Sequence, residues 1–278
     1  MRYYIVDAFT DKPFGGNPAG VAIVGNDGFP NEELMLHVAA ELRYSETAFV
    51  QWLSPGEYRV RYFTPAAEVE LCGHATIATF SLLHGLGLAA GRCLCHTLAG
   101  DMSVEVGENV LMQMAAPRIE KTVDDTASVY RSLGLDGYRP VLPVQVVYSG
   151  LSDLMIEAPD VPTLNNLRPD MEAIAALTER HEAVSFHVFA LGNDEYTAHV
   201  RDFAPRYDVS EESATGTANA ALTHYLATHG VIAAQGDHFF LQGEAMGRPS
   251  VVMTRLSPDG TLCVGGTACV LAEGILNV

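Results

Sequence analysis

The chain has 278 residues, 48% of them hydrophobic and 18% charged, enough to bury one large core or two modest ones. A net charge of −18, with no Lys/Arg cluster to reverse it locally, argues against nucleic acid and anionic membrane surfaces as partners. No run approaches the roughly 18 apolar residues of a membrane span, and MRYYIVDAF lacks the basic start of a secretory leader, so a cytoplasmic location is expected.

In chain order, YYIVDAF and GVAIV are short β-branched or aromatic runs that predict strands, and NEELMLHVAAELRY, with Pro30 and Asn31 at its start, predicts a helix. ETAFVQWL and YRVRYF are the next strands. Ala75, Ala78, Leu82 and Leu83 then recur at helical spacing in a buried helix that opens at Gly73 and stops at Gly87. Cys93-Leu94-Cys95-His96 predicts a strand with both cysteines on one face. NVLMQM, VQVVY and LMIEA are further strands, with a seam between halves near Ala116-Pro117, and DMEAIAALTERH is a helix. SFHVFAL and YTAHVRDF precede a second buried helix, carrying Ala218, Ala221, Leu222 and Leu226, and SVVMTRL and TLCVGGTACVLAEG close the chain. Five cysteines, Cys72, Cys93, Cys95, Cys263 and Cys269, are too irregularly spaced for a disulfide framework and are expected as free thiols. No second ligand pair has zinc spacing, so no metal site is expected at Cys93–His96 or at Cys72–His74.

The two buried helices belong to an internal repeat. Arg61, Phe63 and Pro65 align with Arg201, Phe203 and Pro205; after a three-residue insertion, Gly73, Ala75, Ala78, Leu83 and Gly87 align with Gly216, Ala218, Ala221, Leu226 and Gly230. Each copy reads as a strand ending in Phe-x-Pro, an acidic loop, a Gly-containing turn and a helix. The expected architecture is α+β, two related halves in which strands surround one central helix. Small residues in each first helical turn allow close approach of a ligand, and an N-terminus not capped internally favours an anion. If the two copies face each other, their N-termini converge on one cleft suited to a small carboxylate.

Single residues are less decisive. Glu46, between a helix and a strand, fits a surface or salt-bridged role as well as a cleft. Under the repeat, Ser45 pairs with Ser185, while Glu46 falls on Phe186. His74 fits a hydrogen-bonding role at a helix start, and Asn17 and Ser45 fit turns or caps.

Taken together and in order, VDAFTDKPFGGNPAGVAIV, YSETAFV, LCGHATIA, EESATGTANAAL and QGEAMGRPS resemble the PhzF-like isomerases of phenazine biosynthesis, which share the diaminopimelate epimerase-like fold. The resemblance spans nearly the whole chain. It implies two pseudo-twofold related domains, 1–117 and 118–278, each a mostly antiparallel sheet wrapped around a central helix, with a strand near 265–278 crossing back to the first. It further implies an active-site cleft between them, no cofactor, a small anionic substrate, and a homodimer. The glutamate of Ser-Glu-Thr, Glu46 here, is the family's general acid/base, a role that requires a pKa lifted toward neutrality. The histidine after Cys72-Gly73 lines the substrate site, and the helix dipole would keep His74 neutral there.

Two departures stand out. The family pattern Glu-Asp-Pro-Ala-Thr-Gly-Ser reads Glu211-Glu212-Ser213-Ala214-Thr215-Gly216-Thr217 here, so Glu212 and Thr217 replace an aspartate and a serine that contact substrate in the phenazine isomerase. A longer carboxylate and an added methyl reshape the site, with Asp208 as a carboxylate that could compensate. Two-thiol racemases of this fold need a second cysteine, but Cys72 aligns with Thr215. A hydroxyproline-type dehydratase or epimerase, and a non-enzymatic binding protein, stand as the alternatives to an isomerase. The expected substrate-binding set is Gly73, Glu212, Gly216, Thr217, Asn17 and Ser45.

Overall fold

The computed structural model describes residues 1–25, 28–192 and 195–278. The polypeptide is mixed α+β and packs as two compact units, Met1–Gln113 with Gly265–Val278, and Met114–Val264.

The first unit begins with β1 (Arg2–Ala8) and β2 (Asn17–Val24), paired antiparallel. β2 then runs parallel to β3 (Thr47–Ser54), and a parallel pair needs a crossover, supplied here by α1 (Glu32–Leu42). β3 pairs antiparallel with β4 (Glu57–Phe63), which carries the two-residue β5 (Glu68–Val69). A second crossover through α2 (Gly73–Gly85) sets β6 (Gly91–Thr97) parallel to β4, and β7 (Gly100–Val106) and β8 (Val110–Gln113) follow antiparallel. Nine of the thirteen α2 residues are buried, because the helix packs against β1, β2, β3, β7 and β8. Its threonines remain compatible with that interior: the Thr76 and Thr79 hydroxyls donate to the carbonyls of Cys72 and Ala75, each at 2.7 Å.

The second unit holds β9 (Arg118–Thr122), α3 (Thr126–Ser132), β10 (Gln145–Tyr148), β11 (Ser152–Glu157), α4 (Val161–Asn165), α5 (Met171–Arg180), β12 (Phe186–Leu191), β13 (Ala198–Ala204), β14 (Val209–Glu212), α6 (Gly216–Thr228), β15 (Gly236–Gln242), β16 (Ser250–Leu256) and the start of β17 (Leu262–Gly266), whose last two residues fall in the first unit. Its pairings follow the scheme of the first unit. β11 and β12 are parallel, β12 and β13 antiparallel, and β13 and β15 parallel, with the short β14 and the buried α6 in the second crossover. Even the ion pairs repeat: Arg61 grips both oxygens of Glu68 from β4 to β5, and Arg201 grips both oxygens of Glu211 from β13 to β14. α6 packs on β9, β10, β11 and β16.

The closing stretch TLCVGGTACVLAEG is two strands. The chain breaks at Thr267, whose carbonyl accepts from the Phe9 N–H, and β18 (Ala268–Ile275) pairs with β1 in the first unit. The patterns did not reveal α3, a seven-residue helix, or β7, in which only Val104 and Val106 are buried. At two glycines a left-handed backbone and a close approach coincide. A Cβ on Gly16 (φ +63°) would run into the Ala8 carbonyl, and one on Gly243 (φ +79°) into the carbonyls of Arg248 and Ser213.

Candidate active site

The helices start in two ways. α1, α3, α4 and α5 each follow an Asn or Asp (Asn31, Asp125, Asp160, Asp170) whose side chain accepts a first-turn N–H. The two central helices follow Cys72 and Thr215, and neither side chain caps its helix. These positions correspond under the internal repeat, and their first-turn donors are left to something other than a cap.

At the α2 turn the first unit gathers Ser45, Glu46, Cys72 and His74. Glu46 immediately precedes β3, and its carbonyl accepts from the Gly20 N–H of β2 at 3.1 Å, which fixes the backbone where the side chain departs. The Glu46 carboxylate lies 3.4 Å from His74 Nε2, and Ser45 Oγ is also 3.4 Å from that nitrogen. Cys72 Sγ lies over the ring, 3.4 Å from Nδ1 and 3.9 Å from Nε2. Burial lowers the His74 pKa, and the attraction of Glu46 opposes this only in part. Desolvation is thus the leading cause of a neutral ring. In a neutral ring one nitrogen carries the hydrogen, and Nε2 is the one that faces both Ser45 and Glu46.

Cys72 and His74 do have a third ligand type beside them, because Glu46, Cys72 and His74 each place a ligand atom within 4.8 Å of the others. The set offers one oxygen, one sulfur and one nitrogen, donors that zinc accepts. Cys93 and Cys95 point inward from β6 and are buried, whereas His96 sits between Glu57 at 3.0 Å and Asp101 at 2.6 Å.

Gly73 begins α2, and an added Cβ there would meet only Met112 Sδ at 3.9 Å. Asn17 is the buried first residue of β2, opposite Ala8. The second unit holds the remaining expected residues at its own turn. Glu212 ends β14, with its carboxylate 3.4 Å from the Thr215 hydroxyl, and Gly216 and Thr217 open α6. The Thr217 methyl lies beside Gly150, 3.6 Å from where a Cβ would stand. Asp208 is exposed, in a left-handed conformation at the end of a 3-10 turn.

Sequence reasoning missed what lies under this turn. Asp153, Ser185, His187, Asp202, Asn219 and Gln242 form a buried polar cluster that reaches Thr215. One signal was available: the repeat aligns Asp202 with Tyr62, placing a carboxylate where the first copy has an aromatic ring.

Comparison with known proteins gives a consistent picture. Residues 6–274 match the family described as phenazine biosynthesis-like protein. The chain is 31% identical to an uncharacterized isomerase, YddE, of Escherichia coli K12, over 97% of this chain and 96% of that one. A crystal structure of the Bacillus anthracis phenazine biosynthesis protein of the PhzF family superposes with a TM-score of 0.88 at 25% identity, covering 100% of this chain and 99% of that one. A hydroxyproline epimerase from Agrobacterium vitis, at 14% identity and a TM-score of 0.64 over 99% of this chain and 91% of that one, shares the fold.

Proposed function

Because the chain belongs to the phenazine biosynthesis-like family, whose curated relatives carry the name isomerase, we propose that it isomerises a small cyclic or unsaturated carboxylate by proton transfer between carbons, with Glu46 as the general acid/base and no cofactor. The observation that carries this is the pairing of the Glu46 carboxylate with a buried, neutral-leaning His74 at an uncapped helix N-terminus.

The chemistry follows from the geometry. A substrate carboxylate accepts the first-turn N–H groups of α2, where the helix dipole favours negative charge. Gly73 leaves room for it. Glu46, as carboxylate, removes a proton from a carbon next to a carbonyl or double bond, and charge builds on the conjugated system. The His74 N–H, a neutral donor, stabilises that charge or exchanges hydrogen bonds with Glu46 as the proton returns at the new carbon. The α6 turn offers a second cradle of the same kind, with Glu212, Gly216 and Thr217 in it. In this reading the halves are pseudo-twofold copies of one unit, of which the first carries the acid/base carboxylate. The Thr215 hydroxyl, which would replace the second thiol of a racemase, is engaged by Gln242 and Asp202. That engagement weighs against a hydroxyproline-type reaction.

The test is solvent deuterium incorporation into small unsaturated and cyclic carboxylates incubated with the protein in deuterated water. Incorporation should be lost in Glu46→Gln and reduced in His74→Asn. Exchange by Glu46→Gln at the native rate would remove Glu46 from its role.

A further inference from the structure

The cluster beneath the α6 turn can be assigned its hydrogens one by one, starting from a donor whose identity is not in question. The Thr215 backbone N–H donates to Gln242 Oε1 at 3.1 Å. The other end of that amide is therefore nitrogen, and it donates to the Glu212 carbonyl at 2.8 Å and to the Thr215 hydroxyl oxygen at 3.0 Å. Gln242 Oε1 also accepts from Asn219 Nδ2 at 2.8 Å, so the Asn219 oxygen is the atom that faces His187 Nε2 at 3.4 Å. That nitrogen must carry hydrogen.

Asp202 is the hub. The Thr215 hydroxyl, already an acceptor, has its hydrogen to give, and Asp202 Oδ2 lies 3.1 Å away. Asp202 Oδ1 faces His187 Nδ1 at 2.9 Å and Ser185 Oγ at 2.7 Å. The same Ser185 oxygen is 2.9 Å from Asp153 Oδ1. A hydroxyl has one hydrogen and cannot serve two carboxylates. The Thr215 and Ser185 hydroxyls converge on Asp202, and His187 Nδ1 joins them as a donor in the imidazolium form, since Nε2 already carries hydrogen; Ser185 is the side-chain donor beside Asp153, whose Oδ2 is buried with no hydrogen-bond partner among the described residues. The economical arrangement is a protonated Asp153 donating to Ser185, and Ser185 donating to an ionised Asp202. The titratable groups hydrogen-bonded in the cluster or to Thr215 are Asp153 on β11, His187 on β12, Asp202 on β13 and Glu212 on β14.

We propose that Asp202 is a positioning residue for the α6 turn. Its carboxylate, left ionised by a proton that Asp153 holds through Ser185, aims the Thr215 hydroxyl and so fixes the turn that carries Glu212, Gly216 and Thr217. Burial, with the charge of Asp202 adding to it, pushes the Asp153 carboxyl up to about 7, in keeping with this placement of the proton. The device belongs to the second half alone. In the first half the aligned residues, Tyr62 and Thr76, are joined by one neutral hydrogen bond of 2.7 Å.

The consequence for catalysis rests on the function proposed above, but the device itself can be tested without substrate. In Asp153→Asn the amide replaces a protonated carboxyl and still donates to Ser185. It should fold with a melting temperature within about 3 °C of the native protein at pH 7 and leave the His187 ring nitrogens unchanged by ¹⁵N NMR. In Asp202→Asn the hub loses its charge: amide exchange at residues 215–218 should rise by at least roughly tenfold and the His187 resonances should shift. Asp202→Ser is the alternative should the asparagine variant not fold. If Asp153→Asn perturbs His187 and the turn as much as the Asp202 variants do, or if the Asp202 variants leave exchange at 215–218 unchanged, the assignment is overturned. On any substrate that shows deuterium exchange, the Asp202 variants should raise KM more than they lower kcat; a native KM would refute the positioning role even with the exchange results in place.

Discussion

The twin arginine clamps allow a quantitative test, because the same ion pair stands in two environments. Arg201 donates to both oxygens of Glu211 at 2.8 and 2.7 Å and also to the carbonyls of Leu164 and Leu167, with only 8% of its side chain exposed. Arg61 holds Glu68 at 2.7 and 2.6 Å, is 23% exposed, and has Glu32 3.6 Å away as a second carboxylate. Glu211→Gln keeps an acceptor but strands a buried guanidinium charge, a change of the class that costs about 3 kcal/mol at the lower end of its range. Glu68→Gln leaves Arg61 with Glu32 and water, so its cost should be about 1 kcal/mol. In units of this size roughly 2–4 °C of melting temperature accompanies each kcal/mol. The expected losses are therefore about 6–12 °C for Glu211→Gln and about 2–4 °C for Glu68→Gln. Circular dichroism reads both variants, and the fluorescence of Trp52, the chain's one tryptophan, reads the first unit separately. Added salt should diminish the effect of Glu68→Gln more than that of Glu211→Gln. Equal losses, or the reverse order, would refute the reasoning that burial and the two carbonyl partners make the second clamp the more consequential one.

Three further outcomes follow from the same chemistry. His74 has a folded-state pKa below its ordinary 6.5; such a group contributes stability above that value and loses it as pH falls through the folded pKa. Native protein should thus lose more stability than His74→Gln on acidification below about pH 6.5, measured by chemical denaturation at a series of pH values. Asp153 shifts the opposite way: its raised pKa contributes stability that is full below about 4 and is lost as pH rises through about 7. Asp153→Asn should flatten the fall in stability across that window. Gly243→Ala forces an L-residue to φ +79° and drives its Cβ into two carbonyls, at a cost of at least about 1–3 kcal/mol. Gly247→Ala, at φ +70° with open space around it, should cost only the conformational part, about 1–2 kcal/mol. Equal melting temperatures for the two alanine variants would show that close packing at Gly243 does not matter.

What could be read in the sequence, and what could not, divides by whether the information was periodic. The two buried helices announced themselves through small residues at helical spacing and a stop at Gly87 and Gly230, both in the left-handed conformation. The strands with apolar or β-branched runs did so as well. α3 and β9 were missed because they are short and mostly polar, and Thr267 could not be seen to split the final run because its role is to accept a hydrogen bond from a distant residue, Phe9. The site showed the same division. Glu46, Ser45 and His74 were singled out, and the fold places both Glu46 and Ser45 3.4 Å from His74 Nε2; Cys72 was read only as a free thiol, yet it lies against the His74 ring. Asp153, His187 and Gln242 are scattered over three strands, and nothing short of the fold could collect them. Their pattern explains how one repeated frame can hold two different chemistries. The Arg–Glu clamp and the uncapped helix are common to both halves. Substituting Asp202 and Asn219 for Tyr62 and Thr76 turns one neutral hydrogen bond into a charged hub. A buried charge must be met by donors on every side, and the second half meets it with Ser185, His187 and Thr215. The Thr215 hydroxyl is thereby committed inward, whereas Cys72 at the aligned position remains beside His74 and Glu46. Under the proposed function this difference makes the first half the one that moves protons and the second the one that holds its turn in place.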